Sequence, residues 1–229
     1  MLAVPRNGTY RALFAAQVVA LVGTGLLTVA LGLLAFDLAG SAAGSVLGTA
    51  LTIKMVAYVG VAPVVAAIVD RLPKKAVLVG ADVVRLGIAL LLPFVTEAWQ
   101  IYVLVFVLQS ASATFTPAFQ SLIPAVLPDP REYTRALALS RLAYDLEALL
   151  SPMLAASLLA FVSYSSLFLG TAFGFVGSAI LVLAAAMPRH PQDRVPSTFW
   201  QRLPAGVLVF VRTPTLRFLL LTPRRTKPR

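Results

Sequence analysis

The chain contains no cysteine, so disulfides, thiolate metal sites and cysteine nucleophiles are excluded, and the redox compartment is left undetermined. Histidine occurs once, at His190 between Arg189 and Pro191, where a solvated loop residue outweighs a metal ligand or a catalytic base. Charge is scarce: 12% of residues carry one, against roughly a quarter in a soluble domain. Acidic residues are scarcer still, 9 against 19 basic ones. The sequence has no phosphate loop of the GxxxxGK[ST] type, no histidine pair for zinc, and no serine, histidine and acid set that one loop histidine could serve. These absences argue against an enzyme and against a bound cofactor or metal.

What is present is apolar. Hydrophobic residues make up 59% of the chain and the mean hydropathy is +0.88, more apolar surface than a soluble core of 229 residues could hide. Six long apolar stretches run from about Ala12 to Phe36, Ser45 to Val69, Ala76 to Val95, Ala98 to Phe119, Thr134 to Ala160 and Ser165 to Met187. Each approaches or exceeds the roughly 20 helical residues that cross a hydrocarbon core. All must be helices, because an open sheet in lipid would leave its edge hydrogen bonds unmet. The first is too long for a signal-peptide core and no small-residue cleavage site follows it, so it reads as a retained helix. The expected fold class is an all-α membrane protein with six transmembrane helices.

Lys and Arg fall in alternate connections only. Arg6 and Arg11 precede the first stretch, Arg71, Lys74 and Lys75 follow the second, Arg131 and Arg135 precede the fifth, and Arg189 and Arg194 follow the sixth. The other connections hold only Asp37, only Glu97, or no charge. This is the positive-inside pattern of a multi-pass protein of the cell membrane, plasma or inner, with the N-terminus and C-terminus both cytoplasmic. A net charge of +10 would ordinarily raise nucleic acid as a partner, but the basic residues flank apolar spans instead of forming one basic face. The anionic head groups of the lipid bilayer are the simpler partner.

The six spans occupy residues 1–187. Residues 188–215 read as a cytoplasmic linker in which Ser197 could cap a short amphipathic helix at the membrane surface. Residues 216–229 read as the start of a seventh helix, Leu216 to Leu221, followed by a basic, proline-rich tail. Six residues, five of them apolar, span nothing, so the segment reads as a truncated helix; a natural tail that holds the C-terminus at the cytoplasmic face is the plainer alternative.

The second-to-third connection, Ala66-Ala-Ile-Val-Asp70-Arg71-Leu-Pro-Lys74-Lys75 with Asp82 and Arg85 beyond it, resembles the signature between helices two and three of the major facilitator superfamily. The segments Thr116-Pro117-Ala-Phe-Gln120-Ser-Leu-Ile-Pro124 and Arg135-Ala-Leu-Ala-Leu-Ser140-Arg141 resemble the fourth-to-fifth connection of its enterobactin and macrolide exporter branch. The likeness covers about Arg11 to Leu221, the N-terminal half of such a transporter and the beginning of its second half. It implies one half of a major facilitator fold, and a latch of Asp70, Arg71, Lys74, Lys75, Asp82 and Arg85 that holds the cytoplasmic side closed. Simple anchoring of a basic hairpin is the competing account, and Ala66 and Pro73 stand where the family pattern usually has glycine.

Ions within the spans are functional candidates, since burying one costs at least about 2.5 to 3.5 kcal/mol. Lys54 is about 24 Å from Asp70 along its helix, too deep to snorkel in that direction. Asp145 and Glu147, roughly 17 to 20 Å from Thr134, are its natural partners, and Arg141 lies one turn before Asp145. Either Arg141 and Asp145 neutralise each other while Lys54 reaches outer water, or Lys54 and an acid, Glu147 foremost, exchange partners and pass a proton. Uncharged polar residues recur on single faces: Gln17, Thr24 and Thr28 on the first helix, Gln109, Ser112 and Thr116 on the fourth. They are either packing seams or, as the resemblance implies, the lining of a central cavity. An apolar cavity with scattered polar groups suits a lipophilic solute.

Phe106 occupies the place where proton antiporters of the family often carry an arginine three residues before a glutamine, here Gln109, so coupling through that arginine is closed. Ser151 and Pro152 keep the helix-five kink without the family's glycines. The expected function is secondary active efflux of lipophilic small molecules by alternating access, possibly proton-coupled, with a missing C-terminal half or a second copy completing the cavity. The alternative is a non-transporting six-helix membrane module that binds a partner. A tag placed beside Lys74 will react with impermeant reagents only from the cytoplasmic side; external reactivity in intact cells overturns the topology.

Overall fold

The computed structural model describes residues 7–61 and 72–186, and all of them are helices and short connections. The helices are α1 (Gly8–Ala39), α2 (Ala43–Val56), α3 (Lys74–Leu91), α4 (Ala98–Val126), α5 (Pro130–Leu159) and α6 (Tyr164–Ala184). A 3₁₀ turn, Gly40–Ala42, separates α1 from α2, and a π-helical turn, Ala57–Val61, extends α2. By length and composition the described residues hold five stretches able to cross a membrane, the first being the 54 residues Gly8–Val61 that contain both α1 and α2. Gly40, at φ 51°, is the one described residue with positive φ, and it breaks that stretch where a side chain would be strained.

Local chemistry sets the helix starts. Asn7 caps α1 by accepting from the amides of Thr9 (2.9 Å) and Tyr10 (3.2 Å). Asp129 caps α5, with Pro130 at its first position. Gln100 Oε1 accepts from the amides of Thr96 and Glu97 in a capping box that opens α4. These starts alternate between two ends of the bundle. At one end Asn7 donates to the Val126 carbonyl, Thr9 to Ala186 and Tyr10 to Ala136, and the basic residues Arg11, Lys74, Lys75, Arg131 and Arg135 gather there. At the other, Tyr164 donates to Asp37 at 2.7 Å. The outward rings of Phe36, Phe94, Trp99 and Phe161 mark this second end.

Helices in lipid gain little from hiding oil in oil, so close packing must hold them. The tightest seam is between α1 and α6. A Cβ on Gly174 would lie 3.0 Å from the Gly23 Cα and 3.2 Å from the Val19 carbonyl, and Thr171 donates across the seam to the Gly23 carbonyl at 2.9 Å. α3 packs on α6 and α4, α5 leans mainly on α1, and α2 rests on α4 and α1. Apolar core forms two layers, one around Tyr10, Leu78, Phe119 and Ile123, the other around Leu27, Leu92, Ile101 and Phe168. α5 buries only a narrow stripe and turns Leu142, Leu146, Leu149, Leu150 and Met153 outward.

Several helix ends differ from the sequence expectation. α4 runs to Val126, so Thr116–Pro124 lies inside it and the connection to α5 is only Leu127 to Asp129. Pro117 and Pro124 do not end the helix, because Ala118, Phe119, Leu122, Ile123 and Val126 pack into the core on both sides of them. Likewise α5 continues through Pro152 to Leu159. Asp70, Arg71, His190, the 188–215 linker and the 216–229 segment lie outside the described residues.

The α1–α6 seam gives a direct test. Gly174→Val will lower stability in detergent by about 1 to 3 kcal/mol through overpacking, whereas Gly80→Ala, where a Cβ meets nothing within 4 Å, will leave it unchanged or slightly raised. Paired thermal melts check the contrast.

Candidate functional site

Between the two apolar layers the bundle encloses a cavity of about 390 Å³. α1 contributes Gln17, Ala20, Leu21 and Thr24; α2 and its π turn contribute Lys54, Met55 and Tyr58; α3 gives Arg85; α4 gives Gln109, Ser112, Phe115 and Thr116; α5 gives Tyr144 and Glu147. Five of the six polar stripe residues therefore meet here. Thr28 does not: it lies one turn further along α1, outward, with its hydroxyl donated to the Thr24 carbonyl. Each turn of helix advances 5.4 Å, and the Gln17–Thr24 face has left the cavity by then.

The intramembrane charges separate into two groups. Arg141 and Asp145 pair with each other at 3.4 Å on the outward side of α5, their side chains 79% and 57% exposed. Asp145 is thus removed from Lys54, since two residues along a helix turn it about 200° away from Glu147. Lys54 and Glu147 both line the cavity with opposite charges, and the side chains of Ser151 and Glu147 approach α1 at the same point, Gly25. Ser151 is buried where α1 crosses α5 at Gly25; a Cβ there would collide with the Ser151 side chain. Pro152, next to it, faces outward.

The signature residues also divide. Lys75 donates to the carbonyls of Leu183 (2.6 Å) and Ala185 (3.1 Å), closing the C-terminus of α6 where helix carbonyls lack partners. Lys74 is half-buried beside it at the start of α3. Asp82 and Arg85 are not at the basic end. They pair within the bundle, fully and 96% buried respectively; Ser178 donates to Asp82 at 2.7 Å, and the guanidinium lies between the rings of Phe115 (4.4 Å) and Phe175 (4.8 Å). Two turns of α3 carry the pair roughly 12 Å inward from Lys74, and in lipid the arginine is stabilised by its acid and its two rings.

Polar cross-links tie the walls together. Ser140 donates to Gln17 at 3.0 Å, and Thr116 and Tyr144 share a hydrogen bond at 3.2 Å. Tyr58, Tyr144, Met55 and Phe115 were not anticipated, though a signal exists: Tyr58 is one turn after Lys54, Tyr144 three residues before Glu147, and Phe115 three after Ser112. Ser178 is legible the same way, seven residues from Thr171 on one face of an otherwise apolar helix.

An all-helical membrane bundle around a charged, half-apolar cavity is the construction of a carrier for small solutes. The sequence profile of the Major Facilitator Superfamily matches residues 13–224, and the chain belongs to this family of membrane transporters. It is 25% identical over 219 residues to macrolide efflux protein A of Streptococcus pyogenes, covering 91% of this chain and 53% of that protein. It is also 25% identical over 172 residues to macrolide efflux protein A of Enterococcus faecalis, covering 72% of this chain and 53% of that protein. The chain spans about half the length of the curated relatives it matches. No solved structure matches it significantly.

The chain's lack of cysteine makes the cavity easy to probe, because any introduced thiol is unique. In native membranes Met55→Cys and Gln109→Cys will react with a small water-soluble thiosulfonate, and a cavity-filling lipophilic solute will slow the reaction. Ala30→Cys, fully buried in the second apolar layer, will stay unlabelled.

Proposed function

We propose that this chain is the N-terminal, six-helix half of a secondary active carrier that exports lipophilic small molecules by alternating access. The observation that carries the reading is the cavity whose wall holds both Lys54 and Glu147, opposite charges placed where burial is costly and where a solute of modest size fits. The family profile and the coverage of about half of two efflux proteins support it. In this reading the six helices are six membrane crossings, both termini are cytoplasmic in the plasma or inner membrane, and the basic end faces the cytoplasm.

Glu147 is the proposed proton carrier. When it is charged, Lys54 and Ser151 hold it; when a proton neutralises it, Lys54 is released to the cavity and the α1–α5 crossing at Gly25 loses one tie. The cavity-lining roles of Gln17, Thr24, Gln109, Ser112 and Thr116 belong to the same proposal. Of the six residues of the proposed cytoplasmic latch, Lys75 is engaged with α6 and the Asp82–Arg85 pair lies inside the bundle. The outward apolar faces of α2 and α5, with Leu51, Met55, Leu149 and Met153, are where a second half or a second copy would close the cavity.

Glu147→Gln will abolish proton-driven uptake of a lipophilic dye into everted vesicles while expression and membrane insertion stay at the parent level. Arg141→Gln, which removes an outward pair worth at most about 1 kcal/mol, will leave export intact. Unchanged export by Glu147→Gln would retire the carboxylate as carrier.

A further inference from the structure

We propose that Arg85 and Ser112 form a subsite that takes a neutral hydrogen-bond acceptor, the carbonyl oxygen of a lactone, ketone or amide, on the transported solute. This rests on the carrier reading above. Among the described residues two buried side-chain polar atoms have no hydrogen-bond partner, Arg85 Nε and Ser112 Oγ, and both residues line the cavity. Three other polar groups of the wall are engaged: Thr24 with the Ala20 carbonyl, Thr116 with Tyr144, and Gln17 with Ser140. Two unmet groups in one cavity differ from a packing defect, because leaving a buried donor unpaired has a persistent cost that only a partner relieves.

The two face one cavity from adjoining helices. Ser112 is one turn before Phe115 on α4, and the Phe115 ring carries the Arg85 guanidinium at 4.4 Å. With Phe175 on the other side at 4.8 Å and one terminal nitrogen given to Asp82, the guanidinium plane is clamped and its Nε–H has a set direction. That group is a donor only, and the serine hydroxyl can donate beside it, so the missing partner is an acceptor.

Charge decides which acceptor. Asp82 already neutralises Arg85, and Lys54 and Glu147 balance each other across the cavity. A solute carboxylate would add an uncompensated charge beside two buried donors, whereas a neutral carbonyl satisfies the donors and leaves the balance untouched. The subsite thus selects for an oxygenated, uncharged portion of a lipophilic molecule.

The test uses the 229-residue chain in lipid nanodiscs with two probes, an amine-free macrocyclic lactone and tetraphenylphosphonium, which has no acceptor oxygen. Binding is read by ligand-observed NMR, sensitive into the millimolar range. Ser112→Ala, and Arg85→Lys as a second variant that keeps the charge for Asp82, will each weaken the lactone about tenfold and leave the cation within twofold. Variants that bind the lactone like the parent overturn the subsite, as do variants that lose both probes equally, which would make the residues keepers of cavity shape. A parent chain that binds the cation but not the lactone overturns the subsite and leaves the carrier reading standing; one that binds neither overturns both.

Discussion

An ion inside a bilayer has no solvent to fall back on, and the interior of this bundle is organised around that constraint. Arg85 is met by an acid, a serine behind the acid, and an aromatic ring on each face. Lys54 and Glu147 are met more loosely, across a cavity. The contrast separates a fixed charge from a labile one. The first pair is held between α3, α4 and α6; the other two charges sit on α2 and α5, the two helices with the least packing against the rest.

Small residues set which walls are rigid. Gly23 and Gly174 let α1 and α6 approach to backbone contact, with Thr171 donating across, so these helices move as one body. At Gly25 the same helix α1 meets the side chains of Ser151 and Glu147. One helix therefore presents a backbone seam to α6 and a side-chain seam to α5, two residues apart.

Most of the architecture was legible because lipid imposes simple rules: apolar length marks helices, and the distribution of lysine and arginine marks their ends. The fourth helix outruns its expected end at Phe119, since Leu122, Ile123 and Val126 pack into the core and carry it past Pro124. The polar stripes pointed at the cavity because a face repeats every three or four residues, and Thr28 missed it because a stripe has no built-in end. Asp82 and Arg85 joined Lys74 in one latch through the family resemblance, although eight residues of helix are enough to move a side chain from surface to core. Nothing in local spacing could tell that Phe115 and Phe175, from two distant helices, would close on Arg85.

The two ends of the bundle are held to the bilayer by different physics. Phe36, Phe94, Trp99 and Phe161 ring one end with amphipathic or apolar surface that has a preferred depth whatever the lipid. Lysines and arginines gather at the other, and their grip depends on head-group charge and fades within a Debye length of about 8 Å at physiological salt. The protein is therefore moored stiffly to one leaflet and elastically to the other, so changing the anionic lipid content of a single leaflet alters how far the basic end rides from the membrane while the opposite rim stays in place.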